Sequence, residues 1–328
     1  MNPRLLLAIR LVVIAAVAAG LWFFVRELDW DTLGRALANA KLWPIAIAAV
    51  LNFAILFGKA LSWRIMFAPN YVVSLLRLYR YTIAAFAASA IAPARAGELV
   101  RVLALKRRDG VPASATVAVA LAEKLLDALS MLILVAPIPW LLPGLSGWVT
   151  NTISLAAVGT IGLLVGFWFA VGRVNPHKQG LLRRLIAGMH VLRDARRLAG
   201  SFVVLTLVWF CDLGMILLSL HAVGIELSVS GGILILFTLN LAIVVPSTPA
   251  AVGALQLGAL AALDQLHVAH EPALAFALVY HALQVVPLLV VGLILELRLV
   301  LGRVPHHNHD RATTPVPTED STVDSTAR

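Results

Sequence analysis

The sequence predicts an all-α integral membrane protein, with about six transmembrane helices and two re-entrant hairpins arranged as an inverted-topology repeat. Three observations lead there. Of 328 residues, 60% are hydrophobic and 13% charged, and the mean hydropathy is +0.91, a composition outside the range of soluble domains. The basic residues gather in short loops between apolar runs, the distribution that orients helices in a bilayer. Two apolar runs are too short to span and are broken by the matching motifs Pro93-x-x-x-Gly97 and Pro249-x-x-x-Gly253.

Taken in order, Leu5 to Val25 reads as a retained first span. Arg4 and Arg10 precede it, and the small-residue site Ala16-Val17-Ala18 is overrun by Trp22, Phe23 and Phe24. Glu27 to Lys41 carries Trp30, Leu33, Leu37 and Ala40 at helical spacing, as an amphipathic surface helix does. Trp43 to Met66 returns inward with Asn52 and Lys59 inside it. The run Tyr81 to Ala92 is about 18 Å long as a helix, little more than half of the ~30 Å hydrocarbon core, so it is expected to enter and turn back. Arg77 and Arg80 lie before it and Lys106, Arg107 and Arg108 after it, so both ends are expected in the cytoplasm.

Pro112 opens the span Ala113 to Ala136, which contains Glu123, Lys124 and Asp127. Pro137 to Trp148 reads as an outer loop and Val149 to Val171 as an inward span. The basic loop Arg173 to Arg197 fixes the cytoplasmic side. Leu198 to Val223 then spans outward with Cys211 and Asp212. Ile233 to Val245 and Ala254 to Leu263 flank the second break, with no Lys or Arg nearby, so that hairpin is expected to enter from outside. Ala273 to Leu297 spans inward, and the polar stretch Pro305 to Arg328 is expected to be a disordered cytoplasmic tail. The resulting division is a first repeat over 1–140, a second over 141–304 and a tail over 305–328. Both termini then face the cytoplasm.

The net charge of +9 is accounted for by these loops and by anionic headgroups, so nucleic acid is excluded as a partner. The lone Cys211 allows no intrachain disulfide, and no metal-ligand framework is present: His306, His307 and His309 lack surrounding carboxylates or cysteines. There is no His-Glu-x-x-His, Gly-x-Ser-x-Gly, P-loop or Gly-x-Gly-x-x-Gly motif. The chain is therefore read as a non-enzyme without cofactor or metal.

The residues Pro93-Ala-Arg-Ala-Gly-Glu-Leu-Val-Arg101, Gly110-Val-Pro112, Ala122-Glu-Lys-Leu-Leu-Asp127 and Pro246-Ser-Thr-Pro-Ala-Ala-Val-Gly253 resemble the transmembrane, flippase-like region of the lysylphosphatidylglycerol synthase family. The resemblance runs over nearly the whole chain except the tail. It implies a free-standing member that translocates a lipid in the cytoplasmic (inner) membrane, because the tail is too short for the aminoacyl-transfer domain of the full-length synthases. Ala250, where relatives often carry glycine, and His281, where they often carry arginine, depart from the pattern.

Candidate site residues follow from the cost of charge in a bilayer, about 2.5 to 3.5 kcal/mol each at a helix centre. Glu123, Lys124 and Asp127 must face protein or water, either as a structural ion pair in which Lys124 reaches Asp127 at i+3, or as a headgroup or proton site with Glu123 and Asp127 as proton carriers. Arg95 and Arg101 could clamp a phosphate through the guanidinium fork, or Arg101 could anchor at the lipid surface. Glu98 either joins them or stabilises the helix dipole. Ser247, Thr248, Gln256, His281 and Gln284 supply neutral polar groups around the second break, with His281 either a packing residue or a relay. Lys59 and Asp212, with Asn52, could line the same cavity, while Lys59 could equally snorkel inward. Arg95, Arg101 and Lys124 exceed what Glu98 alone can neutralise, so the expected partner is an anionic phospholipid or a polyprenyl-phosphate-type lipid. A headgroup-modifying enzyme and an accessory subunit beside envelope-lipid biosynthesis enzymes are the alternatives.

Overall fold

The computed structural model describes residues 31, 34, 35, 38, 40–68, 70–91, 97–173, 194–243 and 251–301. The regular structure among them is entirely helical. Expectations placed on Leu5 to Val25, most of Glu27 to Lys41, most of the basic loop after Arg173 and Pro305 to Arg328 lie outside the described residues. So do Pro93, Arg95, Ser247, Thr248 and Pro249.

Helix α1 (Leu42–Phe67) is followed by α2 (Leu75–Ile91), α3 (Gly97–Arg108) and α4 (Ala113–Val135). A short α5 (Ile138–Leu141) and the long α6 (Gly147–Arg173) lead to α7 (Ala195–Ala222), α8 (Val229–Ala242), α9 (Ala254–Gln265) and α10 (His270–Leu301). Five of the six expected spans thus fall on described helices. Three of these helices, over Leu42–Phe67, Ala195–Ala222 and His270–Gly292, are by length and apolar composition able to cross a membrane among the described residues. Helix α4 has 23 residues, about 35 Å, and is long enough. The three charges near its middle set it apart from them.

Helix α2 is longer than the apolar run that announced it, because it starts at Leu75 rather than Tyr81. The Ser74 hydroxyl accepts from the Arg77 backbone N–H at 3.3 Å, an N-terminal capping bond that takes Arg77 and Arg80 into the helix. The second broken segment begins in the same way, the Ser228 hydroxyl accepting from Gly231 N–H at 3.3 Å. With 17 and 14 residues, α2 and α8 measure about 26 and 21 Å, short of the ~30 Å core.

The helices pack in a scheme that pairs α1–α4 with α7–α10. Helix α1 packs along α7 as the most extensive contact in the molecule. Around that axis α2 lies on α3 as α8 lies on α9, α3 meets α4 as α9 meets α10, α2 touches α10 as α8 touches α4, and α4 touches α7 as α10 touches α1. Glycines permit the close approaches. Gly58 of α1 faces the Val208 side chain of α7, and a Cβ on Gly258 of α9 would sit 2.8 Å from the Thr238 carbonyl oxygen of α8. Two apolar clusters result. One gathers Trp63, Met66, Phe67, Leu78, Leu105 and Val119 from α1–α4. The other is built mainly on α7–α10, including Met215, Ile216, Leu234, Phe237, Phe276 and Leu289.

Candidate functional site

Charge collects where α1, α3 and α4 converge. Lys59 and Trp63 lie one turn apart on α1 and share a face. The Lys59 ammonium donates to Asp127 Oδ2 at 2.9 Å and approaches Glu123 Oε1 at 3.5 Å. The Trp63 indole N–H donates to Glu123 Oε2 at 2.5 Å. Arg101, on α3, reaches the same oxygen at 3.4 Å, and its guanidinium lies 4.1 Å above the Trp63 ring centroid. From α7, the Trp209 indole N–H donates to the Asp127 backbone carbonyl at 3.1 Å. Glu123 and Arg101 are buried, at 3% and 4% exposure. Two polar atoms in this cluster, Arg101 Nε and Asp127 Oδ1, are buried without a hydrogen-bond partner.

This arrangement decides several of the open readings. Lys124 does not pair with Asp127. It reaches across to Glu98 at 3.1 Å, and both side chains are about half exposed, at 47%. The i+3 spacing put Lys124 near Asp127 along one helix, but Lys59 on the facing helix has the shorter, more buried approach. Lys59 therefore does not snorkel, and Arg101 is not a surface anchor. Of the three cations from which a surplus of positive charge is expected, Arg101 pairs with Glu123 and Lys124 with Glu98, while Arg95 lies outside the described residues.

The second half brings together neutral groups. Gln256 of α9 hydrogen-bonds His281 Nδ1 of α10 at 3.0 Å, while its carbonyl accepts from Gly253 N–H at 2.8 Å. Tyr280 donates to Asp212 Oδ1 of α7 at 2.8 Å and accepts from Gln284 Nε2 at 2.7 Å. Asn52 of α1 donates to the Leu283 carbonyl at 2.7 Å, tying α1 to α10. His281 is fully buried. Trp63, Trp209 and Tyr280 were not singled out in the sequence. Trp63 stands four residues after Lys59, and Tyr280 stands next to His281; those spacings were the available signals.

Long apolar helices, three of them able to cross a membrane, with paired charges buried between them define a helical membrane protein. The chain belongs to the family described as the lysylphosphatidylglycerol synthase TM region, whose sequence model matches residues 7–292. That membership places it among membrane proteins of lipid modification or transport. Comparison with individual curated proteins gives no match.

Proposed function

We propose that the protein translocates an anionic or phosphate-bearing lipid between leaflets, its headgroup passing through a polar path bounded by the two broken helix pairs while the acyl chains stay in the bilayer. The observation that carries this reading is the paired charge cluster of Lys59, Arg101, Glu123 and Asp127 where α1, α3 and α4 converge. Buried ion pairs are no more stabilising than apolar packing of equal volume, so four ionic groups inside a bilayer call for a use beyond packing. Family membership supports a lipid as the object handled.

We read the architecture as an inverted repeat, with α2–α3 and α8–α9 as re-entrant hairpins entering from opposite sides. The exchange of contacts between α1–α4 and α7–α10 supports it, as does the shortness of α2 and α8 against the bilayer. Both termini are placed in the cytoplasm and the protein in the inner membrane, on the strength of the basic loops. Arg107→Cys and His270→Cys, each in a Cys211→Ser background, should be labelled from opposite sides of the membrane; labelling of both from one side breaks the repeat.

Reconstitution in liposomes tests the function. A flippase changes the leaflet distribution of a labelled phosphatidylglycerol, a headgroup-modifying enzyme changes the lipid's mass, and an accessory subunit changes neither. Leaflet exchange that vanishes in Glu123→Gln and Asp127→Asn supports the cluster as the path. Exchange that is sensitive to an imposed pH gradient in the unaltered protein, and that in either variant persists but no longer responds to the gradient, supports their role as proton carriers instead.

A further inference from the structure

A groove of about 140 Å³ opens between α3 and α4, lined by Trp63, Glu98, Leu99, Arg101, Val102, Val117 and Ala120. We propose that it is a lateral entrance from the bilayer, in which Arg101 takes the phosphate of a membrane lipid against the face of Trp63 and the Glu98 to Lys124 ion pair closes the mouth. The proposal rests on the lipid-translocation reading and names the site at which the lipid enters.

Arg101 carries the argument. Its guanidinium carbon lies 4.1 Å from the centre of the Trp63 ring, and its ion pair to Glu123 is long at 3.4 Å and made to an oxygen that Trp63 already occupies. The Nε donor is buried with no partner. An unmet donor on a buried ion is costly, and the guanidinium fork matches two oxygens of a phosphate side by side. The groove has several times the ~30 Å³ share of a single water, room enough for such a group.

The flanks indicate a lipid rather than a soluble anion. Leu99 and Leu103 on α3, and Val117 and Leu121 on α4, stand at i and i+4 and are 66%, 46%, 44% and 41% exposed. They form two apolar ridges along which an acyl chain can lie. Glu98, which lines the groove, meets Lys124 one turn beyond Ala120 on α4 at 3.1 Å, each half exposed. This pair is held by fewer neighbours than the buried pair of Lys59 with Asp127, so Lys124 can turn from Glu98 to the incoming phosphate.

The full chain, delipidated in detergent and titrated with phosphatidylglycerol, should retain one lipid in native mass spectra. Arg101→Lys keeps a charge beside Glu123 but loses the Nε donor, and should weaken retention by about tenfold or more. A lipid that survives millimolar inorganic phosphate supports the proposal. Displacement by inorganic phosphate, or retention by Arg101→Lys equal to that of the unaltered chain, overturns it. Independently of how Arg101→Lys folds, Glu98→Cys and Lys124→Cys in a Cys211→Ser background, bridged by a short cleavable bifunctional reagent, should stop leaflet exchange and recover it on cleavage. Undiminished exchange in the bridged protein overturns the entrance. Loss of exchange in the unaltered protein with lipid retention intact would count against translocation alone.

Discussion

The two sets of four helices reach one scheme of contacts with different chemistry. In the first, the short helix is joined to the span by Arg101 and Glu123; in the second, by Gln256 and His281. The first long helix meets the last through Lys59 and Asp127 in one set and through Asp212 and Tyr280 in the other. Lys59 and Asp212 even share a register, each 17 residues beyond the first residue of its helix. Among the described residues, α9 and α7 are joined to α10 by neutral hydrogen bonds and by one carboxylate, Asp212, so this half is held without a buried pair of opposite charges between its helices. The charge in α1–α4 is an addition to a fold already specified by apolar packing and close helix approach.

The largest expected effect falls where that addition is deepest. Glu123→Ala removes the acceptor of Trp63, Arg101 and Lys59 together, stranding buried donors and charge, and should cost about 3 to 5 kcal/mol. Unfolding of the purified protein in detergent would measure it. A loss of under about 1 kcal/mol would mean that water fills the site and the ions are not packed as described.

The paired breaks offer a second contrast. Gly97 and Gly253 occupy the same place in the two Pro-x-x-x-Gly motifs, yet for different reasons. A Cβ at Gly97 would collide with the Ala85 carbonyl oxygen and Ser89 hydroxyl of α2, whereas Gly253 has open space around it but a φ of +83°. Gly97→Ala should separate α2 from α3 at a cost of about 1 to 3 kcal/mol, as overpacking does. Gly253→Ala should cost a similar amount through backbone strain alone. The two are distinguished by asparagine, which adopts positive φ more readily than alanine: Gly253→Asn should cost less than Gly253→Ala, whereas Gly97→Asn, pressed against the Ala85 backbone, should cost more than Gly97→Ala.

These particulars mark how far the sequence could be read. The interrupted helices were legible because Pro and Gly break apolar runs of insufficient length, and three of the six expected spans because length and hydrophobicity decide them. Partners inside the site were less legible. The sequence places Lys124 beside Asp127, since i+3 neighbours on one helix are fixed by geometry. Whether Lys59 or Lys124 takes Asp127 depends on how α1 faces α4, which follows from the closeness of α1 to α7 at Gly58 and from Trp209 holding the Asp127 carbonyl. Arg77 and Tyr81 both bind Asp109, at 2.5 and 2.9 Å, which joins α2 to the end of α3 through a residue whose partners no local spacing indicates.

A smaller effect is expected at the counterpart of Glu123. His281→Leu removes the bond to Gln256 without stranding a charge, and hydrogen bonds between helices in a membrane average about 0.6 kcal/mol, reaching about 1.7. Detergent unfolding should register a loss in that range. A cost matching that of Glu123→Ala would erase the distinction between the halves and show that His281 anchors the second half as firmly as the ions anchor the first.

The smallest effect is expected beside the groove, where burial rather than charge separates two of the ion pairs of α4, Lys59 with Asp127 and Lys124 with Glu98. Lys124 and Asp127 lie three residues apart, but the Asp127 side chain is 15% exposed in its pair with Lys59, while Lys124 and Glu98 are each 47% exposed. Solvent screens the latter pair, and ordering two long side chains offsets part of what remains, so such pairs contribute about 0.2 to 1 kcal/mol. Lys124→Gln should therefore shift unfolding by no more than that, whereas Lys59→Met, which leaves Asp127 and Glu123 facing each other without their shared cation, should cost several times as much. The double variant Lys59→Met with Asp127→Leu should recover part of the loss, because it removes the stranded charge; Lys124→Gln with Glu98→Gln should show almost no coupling. A strong coupling between Glu98 and Lys124 would show that the mouth is locked rather than held shut by a pair that water and lipid can readily open.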